Sequence, residues 1–134
     1  MRSSFARTVL WAMLSAASMA AVAALNLEDF DSDAMRAMDD AYKDLEPVLG
    51  ASNAAAAKEN LATLQEVYGW TLEYFTAQEK EGKDGIAILN AGRKLLGEIE
   101  GAVNKRDFNA ATLKARELQA NCKACHDRFK PKKQ

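Results

Sequence analysis

From about residue 31 onward, apolar residues recur every three or four positions along the chain. This is the period with which residues return to one face of an α-helix. No stretch shows the sustained alternation of β-branched and polar residues that indicates a strand. The pattern therefore predicts a series of amphipathic helices. Their predicted inward-facing residues are, for the first helix, Met35, Met38, Tyr42, Leu45 and Leu49; for the second, Leu61, Leu64, Tyr68, Leu72 and Phe75; for the third, Ile86, Leu89, Leu96, Ile99 and Val103; and for the fourth, Ala111, Leu118, Cys122, Cys125 and Phe129.

Capping and breaking residues give the predicted ends of these helices. The predicted N-terminal caps are, in chain order, Asp31 or Ser32, Ser52, Asp84 and Asp107. Pro47 is expected to kink or end the first helix, and Gly50 to stop it. The second helix is expected to run out at Glu81 and Gly82, and Pro131 to end the fourth. Because the linkers are short, the predicted fold is all-α, an antiparallel up-down four-helix bundle.

The first residues have the composition of a secretory signal peptide. Arg2 and Arg7 precede an apolar run over residues 8–22, and small residues around Ala23 form an A-x-A-like cleavage signal. The run is shorter than the roughly 18 residues expected of a membrane-spanning helix. We therefore expect residues 1–24 to be removed on export and residues 25–134 to form a single domain in the bacterial periplasm.

The charge balance of the chain bears on whether it binds a nucleic acid or a membrane. The full chain carries 18 basic and 19 acidic residues, and removal of Arg2 and Arg7 with the signal peptide leaves the domain mildly acidic. This balance gives no indication of a nucleic-acid surface or, once the signal peptide is gone, of a membrane surface.

The scarcest residues of the chain lie together near its end, in the stretch NCKACHDRF. Cys122 and Cys125 are the only cysteines, and His126 is the only histidine. On a helix, positions i, i+3 and i+4 share nearly one face, so the three side chains should project toward one object. The spacing C-x-x-C-H is the attachment signature of c-type haem. The sequence thus predicts one covalent haem c, with Cys122 and Cys125 as its thioethers and His126 as the proximal iron ligand.

Other uses of this cluster fit less well. A zinc site would need carboxylates to complete it, since the chain contains no further cysteine or histidine. A thioredoxin-like redox pair lies at a helix N-terminus in a βαβ setting, whereas this pair falls in the last turns of a predicted helix. A structural disulfide would enclose only the residues between Cys122 and Cys125, a loop too small to restrain the unfolded chain much. Chance proximity on a helix end leaves the clustering unexplained.

With the motif followed by Asp127, Arg128, Phe129 and Lys130, the predicted bundle resembles the class II c-type cytochromes, the cytochrome c′ family and its low-spin relatives. The resemblance covers essentially the whole predicted domain, although only the haem motif is specific. It implies a haem in the bundle core, a proximal histidine on the last helix and a sixth iron position that faces the first helix. The expected pocket walls are Leu45, Tyr68, Phe75, Leu118 and Phe129, with Tyr42 and Trp70 as candidates for a polar edge.

Several candidates remain for the sixth ligand. A second histidine of the same chain is excluded, because His126 is the only one. Once the signal peptide is removed, Met35 and Met38 are the remaining methionines, on the apolar face of the first helix. Thioether ligation would favour ferrous iron and raise the reduction potential, although methionine is also a common core filler. The resemblance favours Met35, because methionine-ligated members place their ligand near the start of that helix, and Met38 is the alternative.

The expected function is that of an electron carrier, not an enzyme. In the high-spin members of the family an apolar residue lies over the iron and the haem binds small gases, so the alternative is a five-coordinate protein that binds nitric oxide or carbon monoxide. Such members carry an arginine near the haem, for which Arg36 and Arg128 are the candidates here. The resemblance also leaves a homodimer open.

Basic residues gather around the motif on a chain that is otherwise acidic. They are Lys123, Arg128, Lys130, Lys132 and Lys133. Positive charge suits the C-terminal end of a helix dipole. It is also expected to steer acidic redox partner proteins to the haem edge.

Overall fold

The segments in which apolar residues recur every three or four positions form helices. The computed structural model describes residues 32–78 and 82–130. These residues form α1 (Ser32–Gly50), α2 (Ala54–Ala77), α3 (Lys83–Asn104) and α4 (Phe108–Phe129), with no strand among them. The all-α prediction is confirmed. The predicted signal peptide, Asp31 and residues 131–134 lie outside the described residues, and none of the helices described is long and apolar enough to cross a membrane.

The apolar stripes of the helices meet in a common core. Its largest fully buried side chains are Leu45, Leu49, Leu61, Leu64, Leu96, Ile99, Leu118 and Val103. Burial of each such side chain contributes about 1.5–3 kcal/mol relative to leaving it in water. Each helix packs against the next one along the chain, and α1 also contacts α4. The four helices therefore form a bundle around apolar residues that the spacing of three and four positions predicts to face inward.

A residue in the left-handed backbone conformation closes the turn after α1. Ser52 N donates to Leu49 O and Asn53 N donates to Val48 O, each at 2.9 Å, and Ser52 has φ 56°. This is the Schellman pattern, in which the last carbonyls of a helix are satisfied by the residues that follow it. Arg106, with φ 60°, takes the same position after α3. The prediction that Ser52 caps α2 is therefore wrong, because Ser52 completes the end of α1.

Side-chain caps begin two of the helices. The Asn53 side chain caps α2 by accepting from the backbone N–H three residues later at 3.1 Å. Asp107 caps α4 in the same way at 3.0 Å, as predicted. Asp84 does not cap α3: the cap position falls on Gly82, and Asp84 lies in the first turn, where its negative charge still suits the helix N-terminus.

α1 ends at Gly50, as predicted, whereas α2 ends earlier than predicted. Pro47 does not end α1, which continues to Gly50 because Pro47 O accepts from Ala51 N at 3.0 Å and closes the last turn. Because proline has no N–H, one hydrogen bond of the α1 ladder, to the carbonyl four residues before Pro47, is not made. α2 ends at Ala77, before its predicted end at Glu81.

Candidate functional site

A groove of about 1120 Å³ extends into the bundle among α1, α2 and the second half of α4. Its lining includes every residue that the sequence predicts as a haem or iron ligand. They are Met35, Met38, Cys122, Cys125 and His126. One open cavity therefore gathers two thiols, an imidazole and two thioethers from opposite ends of the described chain.

The last turns of α4 face this groove, and they lack the close packing of the first turns. The buried residues of α4 are Ala111, Ala115 and Leu118. Beyond Leu118 the inward positions are only half-buried, at Asn121, Cys122, Cys125 and Phe129. Because the apolar stripe continues while its burial stops, this end of α4 has room for a large group against its inner face.

Cys122, Cys125 and His126 lie on one continuous helix, α4. Both cysteines carry free, half-buried thiols, and His126 is exposed at the groove. Burial raises the pKa of both thiols, and the neighbouring Cys122 raises that of Cys125 further. The protonated thiol therefore predominates at neutral pH. A thioredoxin-like pair needs the opposite, a lowered thiol pKa.

A buried tyrosine joins the first cysteine to the rest of the bundle. The Tyr68 hydroxyl, on α2, donates to Asn121 Oδ1 at 3.0 Å and lies 3.6 Å from Cys122 Sγ. Asn121 Nδ2 in turn donates to Ile88 O at 2.8 Å. Tyr68 is only 2% exposed, and its burial is the main reason that its pKa lies well above the ordinary value for tyrosine. The hydroxyl is therefore neutral throughout the physiological range.

The two methionines differ in their surroundings. Met38 is buried and belongs to the core cluster, whereas Met35 is half-buried and packs against the edge of that cluster. Both line the groove. Met35 therefore has the freer side chain, and Met38 contributes more to packing.

The predicted pocket walls are partly the observed ones. Tyr68, Phe75 and Phe129 line the groove, and the Phe75 and Phe129 rings meet edge to face with centroids 4.7 Å apart. Leu45 and Leu118 are instead fully buried in the core. Of the two residues expected at a polar edge, Tyr42 lines the groove and donates to Ala115 O at 3.0 Å. Trp70 is 51% exposed and is not part of the lining.

Acidic partners reduce the positive charge predicted around the motif. Lys123 Nζ lies 2.5 Å from a carboxylate oxygen of Asp127, and Arg128 lies 2.6 Å from one of Asp84. Lys130 is exposed and lines the groove. Lys132 and Lys133 lie outside the described residues. The family resemblance suggests two arginines as candidates for a position near a haem. Arg36 lines the groove and Arg128 does not.

The sequence pattern did not identify several polar residues of the groove. They are Asp39, Thr71, Arg116, Gln119 and Asn121. Asn121 directly precedes Cys122, but its importance depends on contacts with α2 and α3 that no local spacing indicates. Arg116 is paired with Glu46 of α1 at 2.8 Å, a contact across 70 positions of the chain.

Comparison with known families, curated proteins and solved structures finds no match for this chain. Within the part of the chain that the structure describes, no group of three or more His, Cys, Asp or Glu side chains is placed to hold a metal ion.

Gly92 provides the space that the polar contacts on Cys122 need. A Cβ at this position would overlap the Tyr68 ring and Asn121 Oδ1. Gly92→Ala should therefore destabilise the fold by up to about 2 kcal/mol, since overpacking costs about 1–3 kcal/mol and helix propensity returns up to about 1. Urea unfolding measures this change.

Gly97→Ala is the matched control on the same helix, because a Cβ at this position would meet no neighbouring group within 4 Å. It should stabilise the protein by up to about 1 kcal/mol. Equal midpoints for the two variants would show that Tyr68 and Asn121 do not occupy the space next to Gly92.

Proposed function

We propose that this chain is a mono-haem c-type cytochrome of the bacterial periplasm that carries single electrons between redox partner proteins. The observation that carries the proposal is one groove lined by both thiols and the histidine of a C-x-x-C-H motif, with two methionines among its other lining residues. The resemblance of the motif and bundle to the class II c-type cytochromes supports the same conclusion.

The residues of the groove fit a haem in size and in chemistry. Sites for small molecules usually measure about 300–1,000 Å³ and are mostly apolar. At about 1120 Å³ the groove suits a large flat macrocycle that remains partly exposed. Its two thiols are free, as attachment to two vinyl groups requires, and Phe75 and Phe129 supply apolar walls.

Each site residue has a separate role in this proposal. Cys122 and Cys125 would hold the haem by thioether bonds, and His126 would bind the iron on the proximal side. Met35, or alternatively Met38, would bind on the distal side, where a soft thioether favours ferrous iron and raises the reduction potential. The bound haem would supply a one-electron ferric–ferrous couple, and the chain itself would turn over no substrate.

We further propose that the helices alternate in direction as an up-down bundle. Ion pairs between α3 and α4 support this arrangement, since Asp84 pairs with Arg128 and Glu98 pairs with Lys114. Residue numbers rise along one helix as they fall along the other. In this arrangement α4 places its cysteines beside the start of α1, where the methionines lie.

A second candidate is a five-coordinate protein that binds nitric oxide or carbon monoxide. Its support is the packing of the methionines, since Met38 belongs to the buried core and Met35 packs against it. If both only fill space, the distal iron position would remain open to a small gas.

The proposal is tested by expressing the whole chain together with c-type haem maturation proteins in a bacterial periplasm. Export with removal of residues 1–24 and a haem that stays attached through denaturation are the expected results, measured by intact mass. A folded, exported chain with no added haem mass would overturn the proposal.

Lys130 is proposed to attract anionic redox partners, because it is exposed and lines the groove. In Lys130→Glu, the rate constant for oxidation of the ferrous protein by ferricyanide should fall several-fold at low salt, and the difference should shrink as salt is added. Stopped-flow mixing measures both effects. Lys105→Glu, at the C-cap of α3 in the turn that precedes α4, carries the same charge change and should have little effect. Equal rates for the two variants would count against steering at the groove.

A further inference from the structure

The hydrogen bonds on Asn121 fix which atom of its amide faces Tyr68. Ile88 O can only accept, so Asn121 presents its Nδ2 group there at 2.8 Å. Oδ1 then faces Tyr68, whose hydroxyl donates to it at 3.0 Å. The single hydrogen of the tyrosine is thereby committed to Asn121.

The remaining lone pairs of the Tyr68 oxygen are left for Cys122, whose Sγ lies 3.6 Å away. A thiol can donate its hydrogen to that oxygen. A thioether sulfur has no hydrogen, so after haem attachment the negative end of the hydroxyl dipole would still face the sulfur. Because Tyr68 is 2% exposed, water screens this dipole little.

We propose that Tyr68 and Asn121 are positioning residues that lower the reduction potential of the haem, by holding a hydroxyl oxygen with its negative end toward the Cys122 sulfur. The inference rests on the proposed function. A negative dipole end beside the macrocycle stabilises the ferric state, which carries one more positive charge than the ferrous state. Hydrogen bonding and burial around a haem are among the means by which a protein sets its potential.

The test is a spectroelectrochemical titration of the covalently loaded full chain and its variants. Tyr68→Phe removes the dipole and should shift the potential to a higher value. Asn121→Leu frees the hydroxyl to donate to the sulfur, which places its positive end there, and should shift the potential upward by more. In the double variant the hydroxyl is absent, so the shift should return to that of Tyr68→Phe alone.

Thr71→Val is the matched control. Thr71 lies on the same helix, lines the same groove and is 4% exposed, but its hydroxyl donates to Val67 O. Its removal should leave the potential almost unchanged. A shift as large as that of Tyr68→Phe would mean that general pocket polarity, not the oriented hydroxyl, sets the potential, and would overturn the inference.

The remaining outcomes separate the inference from the proposed function. Covalent haem with the same potential in all variants overturns the inference alone, even where their unfolding midpoints differ. A lower potential in Tyr68→Phe overturns it too, since the hydroxyl would then donate to the sulfur. If the wild-type chain takes up no haem, both proposals fall. Asn121→Leu keeps the test available if Tyr68→Phe does not fold.

Discussion

Replacing Cys122 and Cys125 together by serine should abolish covalent haem. Serine keeps the size of the side chain but cannot form a thioether, and no other cysteine exists in the chain. Each single variant should keep one thioether, and its haem should still resist extraction. Intact mass and haem staining after denaturing electrophoresis measure the difference, which is expected to be complete for the double variant.

Ala124→Ser is the control for this experiment, because it changes an exposed residue inside the motif without touching a thiol. It should carry the full amount of haem. Retention of the added mass in the double serine variant would place the attachment elsewhere and would contradict the assignment of both cysteines. A wild-type chain that instead bound zinc, with loss in each single variant, would favour the metal-site alternative.

The fold was predictable because packing follows the apolar period closely. Leu45, Leu61, Leu96 and Leu118 each occupy the predicted stripe of one helix, and all are fully buried. Local hydrogen bonding also identified Asp107 as a cap, since a carboxylate three residues before a free backbone N–H is a contact within one turn.

At the turn after α1, residue type alone does not predict which residue caps α2. Serine is a good N-cap by type, and Ser52 stands just before an alanine-rich helix. It nevertheless takes the left-handed position that glycine usually occupies, and Asn53 becomes the cap. The choice between two adjacent capping residues is set by how α1 must end, which the sequence of α2 does not contain.

Part of the candidate site could likewise be predicted from local spacing, and part depends on how the helices pack. The cysteines and His126 fall on one helical face by spacing alone, so a local motif predicted their neighbourhood. The contact of Tyr68 with Asn121 joins positions 53 apart and depends on how α2 and α4 are offset along their axes. The ion pair of Arg128 with Asp84 likewise depends on the packing of α3 against α4, and it reduces the positive charge that the sequence predicts around the motif.

Met35→Ala should convert a low-spin, methionine-ligated haem into a form with an open distal position. The near-infrared charge-transfer band from methionine to ferric iron should disappear, and the ferrous protein should begin to bind carbon monoxide. Absorption spectra of both oxidation states, with and without carbon monoxide, measure these changes. Met35 is half-buried, so its replacement should affect stability only moderately.

Met38→Ala separates ligation from packing, because Met38 is only 9% exposed within the core cluster. Its loss should cost about 2–5 kcal/mol of stability, as for other buried methionines cut to alanine, while the charge-transfer band persists. The opposite pattern, a band lost in Met38→Ala and kept in Met35→Ala, would move the ligand one turn along α1. A wild-type spectrum that is already high-spin, with ready binding of carbon monoxide, would mean that neither methionine sulfur binds the iron. The gas-binding function would then replace electron transfer, with the cysteines and His126 in the same roles.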